Sequence, residues 1–255
     1  MLRTTSTIGI SAILLLTMAS AVVAQEESSA TPEADGSPSP LSDEVMRLGS
    51  EVGPLEPGTY ADDSLGPEVR FSVAEGWEMT GEPIEEVGVQ LGQEGVEAAA
   101  LTITRFPGTV FAEPCVRDED FDAYFADTQM SEASAQGFID RLAANPFLTV
   151  EEPTEIELGG WPGLQVDLTS SIPEADCQPP VTFLWELPVV GEFHLVDRES
   201  ARAIALDVGE DVIIIFVEAN PGVDWPAFLE ASMPLLESLS ITSPDAEASP
   251  AATES

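Results

Sequence analysis

The stretch ARAIALDVGEDVIIIFVEA, Ala201 to Ala219, decides the fold. Two apolar runs, Ala203-Ile204-Ala205-Leu206 and Val212-Ile213-Ile214-Ile215-Phe216-Val217, flank Asp207-Val208-Gly209-Glu210-Asp211. β-Branched and aromatic residues suit the pleated conformation, and glycine takes the positive φ that a tight connection needs. The pattern therefore predicts a hairpin. Its second run is continuous rather than alternating, which predicts a strand buried on both faces and hence a central one. Nothing in it is catalytic.

On the C-terminal side, Asp224 is a good helix N-cap with Pro226 in the first turn, and Phe228, Leu229, Leu235 and Leu236 give an apolar face. Pro234 is expected to kink this helix, and Leu239-Ser240-Ile241 returns as a terminal strand. On the N-terminal side, Thr182 to Leu187 and Glu192 to Val196 read as strands, joined to the hairpin through Asp197-Arg198-Glu199-Ser200. Ile156-Glu157-Leu158 and Leu164 to Leu168 alternate apolar and polar across Gly159-Gly160-Trp161-Pro162-Gly163, a second hairpin. A helix is expected over Ser131 to Ala144, with Ser131 as cap and Phe138, Ile139 and Leu142 on one face, ended by Asn145-Pro146. Asp120 to Ala126 reads as a shorter helical turn. Val69 to Val73, Val87 to Leu91 and Ala99 to Thr104 read as strands, and Leu55 to Tyr60 as a Pro-Gly turn before a short edge strand. Many strands with one or two helices and no regular β-α-β alternation predict an α+β domain built on an antiparallel sheet.

The ends differ in character. Arg3, the apolar run Ile8 to Met18 and Val22-Val23-Ala24 match a secretory signal over residues 1–24, too short in its apolar part for a spanning helix. Residues 25–50 and 244–255, rich in Glu, Ser, Ala and Pro, are expected to be disordered, which leaves 51–243 as a single domain. The chain has 47 acids against 8 bases, all arginine, and the 51–243 segment alone holds 38 acids and 6 arginines. Such a field repels nucleic acid and anionic membranes, so neither is an expected partner. Cys115 and Cys177 form an even pair without a Cys-x-x-Cys spacing, and in an exported domain they are expected to be disulfide-bonded.

Three segments carry a resemblance: PLEPGTY (54–60) followed by VRFSVAEGW (69–77), IELGGWPGLQVDL (156–168), and ALDVGEDVIIIFVEA (205–219) with the LESLSI ending at 236–241. Together they resemble uncharacterised exported proteins of high-GC bacteria. The Val-x-Phe-x-Val-x-x-Gly-Trp opening and the helix-then-strand ending are also similar to the Mog1/PsbP-like fold. That resemblance spans about residues 52–242 and implies an antiparallel sheet flanked by helices, used mostly by non-enzymatic binding and assembly factors. It carries no catalytic residue over. Ala74 departs from it, since a proline is usual there.

No catalytic, cofactor-binding or metal-ligating residue emerges from the sequence. His194 is the one histidine, lies in a strand pattern, and has neither a second histidine nor a Gly-x-Ser-x-Gly elbow to work with. Asp118, Asp120 and Asp122 occupy the first, third and fifth positions of a calcium-loop spacing, but Ala123 stands at the glycine position and Gln129 at that of the bidentate glutamate. Trp77, Trp161, Trp185 and Trp225 are expected in the core, with Trp161 at the hairpin tip the most exposed. The leading expectation is an exported, non-enzymatic domain at the cell envelope that binds a protein or small ligand, without a cofactor. A hydrolase with a carboxylate pair and a calcium- or salt-stabilised structural protein are the alternatives, the first requiring a cleft with two facing acids.

Overall fold

The computed structural model describes residues 45–49, 51–84, 88–116, 127–173, 177–187 and 191–243. These belong to one compact unit. In chain order its first strands are β1 (Val45–Arg47), β2 (Gly53–Pro54), β3 (Gly58–Asp62), β4 (Glu68–Val73), β5 (Trp77–Ile84), β6 (Gly88–Gln93), β7 (Ala99–Arg105), β8 (Thr109–Phe111) and β9 (Thr128–Met130). Helix α1 (Ala135–Ala144) is followed by β10 (Leu148–Val150), β11 (Thr154–Leu158), β12 (Trp161–Ser170), β13 (Val181–Leu187), β14 (Gly191–Val196), β15 (Ser200–Val208) and β16 (Asp211–Ala219). Helix α2 (Trp225–Glu237) and β17 (Ser240–Thr242) end the fold.

β15 and β16 form the expected hairpin, paired from Ser200–Ala219 to Val208–Asp211. Its turn has a positive φ at Gly209 alone (64°), the pattern of a type II′ connection. The hairpin sits at the middle of a nine-stranded sheet of order β10-β12-β15-β16-β7-β6-β5-β2, with β11 paired to β12. All pairings within that sheet are antiparallel. A second sheet, β1-β3-β4-β17, packs with α2 over one face. Helix α1 and the β13–β14 hairpin cover part of the other. The architecture is α+β with antiparallel sheets and two flanking helices.

β16 is buried on both faces, as its unbroken apolar run requires. Ile213, Ile215 and Val217 enter one core with Ile204, Leu206, Phe71, Trp77 and Phe228. Val212, Ile214 and Phe216 enter the other with Phe138, Trp185 and Phe193. In that second core the Trp185 and Phe193 rings stack 4.2 Å apart, and Phe216 meets both edge-on. Offset and edge-to-face pairs of this kind add to the area they bury.

Several boundaries differ from the sequence reading. α1 starts at Ala135, not Ser131, because Ser134 caps it: its Oγ accepts from the Gly137 amide at 2.9 Å, and Asp207 from the central hairpin accepts from the Ala135 amide at 2.8 Å. A tertiary carboxylate thus sets where the helix begins. Val45–Arg47, within the segment expected to be disordered, pairs parallel with β3 and buries part of Met46 against the core. α2 begins after Asp224, whose side chain accepts from the Ala227 amide, and runs through Pro234 to Glu237. The signal-like segment, the short helical turn at 120–126 and the tail at 244–255 lie outside the described residues.

Trp161 is half-buried rather than displayed at a tip. The turn is tighter than expected, only Gly159-Gly160, both with positive φ, so Trp161 is already the first residue of β12. Its indole N–H donates to the Ile241 carbonyl at 2.9 Å, while the Ile241 amide donates to the Gly159 carbonyl at 3.1 Å. The hairpin tip therefore holds the last strand in place. Trp161→Phe keeps the ring and removes the donor, and is expected to lower stability by about 1 kcal/mol in urea unfolding; no change would mean that the bond is not formed in solution.

Cys115 and Cys177 are bonded across 62 residues, with their Cα atoms 5.6 Å apart. Both are buried with Phe147 and Ile172 in a small separate cluster. Among the described residues no helix is long and apolar enough to cross a membrane.

Candidate functional site

The apolar face of β16 that carries Val212, Ile214 and Phe216 continues, two residues further on, to Glu218. Strand alternation dictates this: residues i and i+2 share a face. Glu218 pairs with Ala201 on one side and Ala100 on the other, so small side chains flank it and leave space above the sheet. That space is a pocket of about 390 Å³. Its floor is Glu218 with Ala99 and Ala100, and one wall is formed by Glu78 and Thr80 of β5 with Gln90 of β6. Val96, Glu97 and Ala98, from the β6–β7 connection, form the rim; Glu199 and Asn220 close the remaining side.

Ala98 has a φ of 64°, unusual for a residue with a Cβ. Its carbonyl accepts from the Asn220 amide at 2.9 Å, which fixes Asn220 against the rim. Glu199 follows Arg198, itself at a φ of 61°, in the turn between β14 and β15. The Glu199 amide donates to Ser170 Oγ at 2.9 Å, and its carboxylate accepts from the Val196 amide at 2.8 Å. Only 5 % of Glu199 is exposed. Burial pushes its carboxyl up to about 7, although the Val196 amide opposes that rise.

Glu218 is the more unusual group. Its Oε2 and the Oδ1 of Asn220 are shielded from solvent and have no hydrogen-bond partner among the described residues. Burial, reinforced by the charge of Glu199, holds the Glu218 carboxyl well above the usual carboxylate range. Native interiors pair nearly all such atoms, and a shielded acceptor without a donor costs on the order of 1–3 kcal/mol. Both residues line the pocket. A second hollow of about 300 Å³, lined by Gln93, Val223, Ala227 and Phe228, also touches Val96 and Glu97.

The residues singled out in the sequence lie elsewhere. His194 is exposed on β14, its ring edge-on to Phe183 at 5.7 Å. Asp118, Asp120 and Asp122 lie outside the described residues, while Gln129 is in β9. Trp77 and Trp185 are buried in the two cores. Among the described residues no three His, Cys, Asp or Glu side chains come together in a way that would hold a metal ion. Glu199 and Glu218 were legible only in part. Position 218 falls in phase with Phe216 in a strand read as buried on both faces, and that phase marks it as a carboxylate turned inward.

No known family model matches the chain, and no curated protein matches it. Among solved structures it is similar to the solution structure of cyanobacterial PsbP (CyanoP) from Synechocystis sp. PCC 6803, at 13 % identity over 76 % of this chain and 96 % of that one, with a TM-score of 0.37. The α+β assignment stands on the strand order and pairing described above.

Proposed function

We propose that the chain is an extracytoplasmic, non-enzymatic binding domain whose ligand occupies the pocket beside the central hairpin. One observation carries this reading: Glu218 and Asn220, each with a shielded oxygen that has no hydrogen-bond partner among the described residues, line a pocket of about 390 Å³. A structural carboxylate would be paired. A ligand's donors supply the missing bonds, so the stability lost in the free protein is regained on binding. The signal-like residues 1–24, the motif resemblance to exported proteins and the Cys115–Cys177 bridge support a location outside the cytoplasm.

Glu218→Leu tests the reading. It replaces an unpaired buried carboxyl with an apolar group of similar size, and is expected to raise stability by about 1–2 kcal/mol at pH 7 in urea unfolding. A loss of stability would show that the carboxyl holds the fold together, and the pocket would no longer count as a ligand site.

The carboxylate-pair hydrolase remains as a second reading, because Glu199 and Glu218 line the same pocket and burial raises both carboxyls. Among the described residues the lining holds no aromatic ring on which a sugar would stack. Hydrolysis of nitrophenyl glycosides or esters that disappears in Glu218→Gln would establish this reading over the first.

A further inference from the structure

The binding reading leaves the ligand's chemistry open, and the pocket narrows it. Every ionisable side chain that lines it is a glutamate: Glu78 from β5, Glu97 from the β6–β7 connection, Glu199 before β15 and Glu218 on β16. Among the described residues no arginine lines it, and the chain as a whole carries a net charge of −39. An anion would meet only like charge, within a field that already disfavours its approach. The shielded atoms without partners are both oxygens, Glu218 Oε2 and Asn220 Oδ1. Asn220 Oδ1 can only accept, and Glu218 accepts at both oxygens once it is ionised, so a cationic donor suits both.

A metal ion fits less well than an N–H donor. A hard cation asks for six or more oxygens around one point. Among the described residues the carboxylates do not converge in that way. Glu97 and Thr80 are at the exposed margin, and Glu199 already accepts from the Val196 amide. Glu218 at the floor and Asn220 beside it suit instead the two or three N–H bonds of an ammonium or a guanidinium head. The rest of the lining suits a short carbon body: Val96 and Ala98 of the β6–β7 connection and Ala100, the strand partner of Glu218, are apolar. The volume, about 390 Å³, is at the small end of ligand sites.

We infer that this pocket binds a small organic cation, a primary ammonium or guanidinium compound, with its N–H donors on Glu218 and Asn220 and its carbon part against Val96 and the adjoining alanines. The inference rests on the reading of the pocket as a ligand site. It also carries a consequence for protons. A cation seated on Glu218 favours the ionised carboxylate, whereas burial and the neighbouring Glu199 favour the neutral acid in the free protein. Glu78 and Glu97 add negative charge from the other walls. Binding therefore expels a proton, which moves from the carboxyl to solvent as the ion pair forms.

The test is isothermal titration calorimetry of the folded protein at pH 7, in two buffers that differ in ionisation enthalpy. The probes are n-butylammonium, butylguanidinium, butyramide, butyrate and calcium chloride. The expected result is binding of the two organic cations only, with release of close to one proton. Glu218→Gln, which keeps the shape, should weaken that binding at least roughly tenfold. Thr80→Trp, an exposed position at the pocket margin, should block it. Equal binding of butyramide would overturn the cationic class while leaving the pocket a ligand site. Calcium binding with the same dependence on Glu218 would overturn the inference in favour of a metal. If no probe binds, the inference falls, whereas the pocket reading is judged separately by the stability of Glu218→Leu.

Discussion

Replacing Cys115 and Cys177 together by serine is expected to lower stability by about 4 kcal/mol, the chain-entropy cost of opening a loop of this length. The measurement is urea unfolding of the oxidised wild type, the reduced wild type and the double variant. The last two should coincide, well below the first. The local surroundings point the same way. The bridge joins the segment after β8 to the one that leads into β13, and the Phe183 amide donates to the Pro114 carbonyl at 2.8 Å beside it. Thr182 Oγ1 donates to the same carbonyl at 3.0 Å and accepts from Asn145 Nδ2 at 2.9 Å. Once the bond is cut, these contacts, with the pairing to β14 and the packing of Trp185 in the aromatic core, must position β13. A difference below about 1 kcal/mol would mean that they suffice and that the unfolded chain is already compact.

Stability should also fall as pH rises, through Glu199. Its carboxyl titrates near 7 in the folded protein against 4.5 in an exposed chain. Between these values the folded state holds a proton that the unfolded state has lost, so raising the pH favours unfolding. The group's contribution is complete below about 4.5, declines as pH climbs through 7, and is gone above that. Its full span is on the order of 3 kcal/mol. Glu218, also raised by burial, acts with the same sign. The experiment compares wild type with Glu199→Gln, which can still accept from the Val196 amide, in urea unfolding at pH 5, 6, 7 and 8. The variant should gain on the wild type steadily across that range. Parallel profiles would show that Glu199 keeps an ordinary carboxylate titration. A ligand cation would oppose the trend, because it favours the ionised forms.

Much of this fold was legible because its elements follow simple periodicities. The central hairpin, the alternating Ile156–Leu168 pair and the Asp224-capped helix each carry their own local signal, and the two cysteines had only each other. The misreadings share a cause. Ser131 and Ser134 are equivalent caps by local chemistry, and Asp207, more than seventy residues away, selects between them. Trp161 was assigned to a loop because a Gly-Gly-Trp-Pro-Gly run reads as one long turn. Gly159-Gly160 closes the turn in two residues, and Ile241, again a distant partner, holds Trp161 at the start of β12. The pocket was harder still. With 38 acids between residues 51 and 243, composition cannot mark two of them. Glu199 is buried by the Asp197-Arg198 turn folding its carboxylate back onto the Val196 amide, which no periodicity encodes. Glu218 did have a signal, its phase with Phe216, but the polar end of an apolar strand is ordinarily read as the point where the strand reaches water.

The two-sided burial of β16 bears on how the chain finds its pairing. A strand with one wet face has its register set by polarity, because a slip of one residue would turn its apolar set outward. β16 lacks that safeguard: Val212 to Val217 is apolar on either side. Its partner β15 distinguishes the two sides by volume. Ala201, Ala203 and Ala205 face the aromatic core, while Ile204 and Leu206 face the aliphatic one. A slip would drive isoleucine and leucine into the space that Trp185 and Phe193 fill, and leave alanines opposite Phe71 and Trp77. Size, rather than water, holds this strand in register. The same alanine row leads to Ala201 beside Glu218, so the small residues that set the pairing also leave room for the pocket.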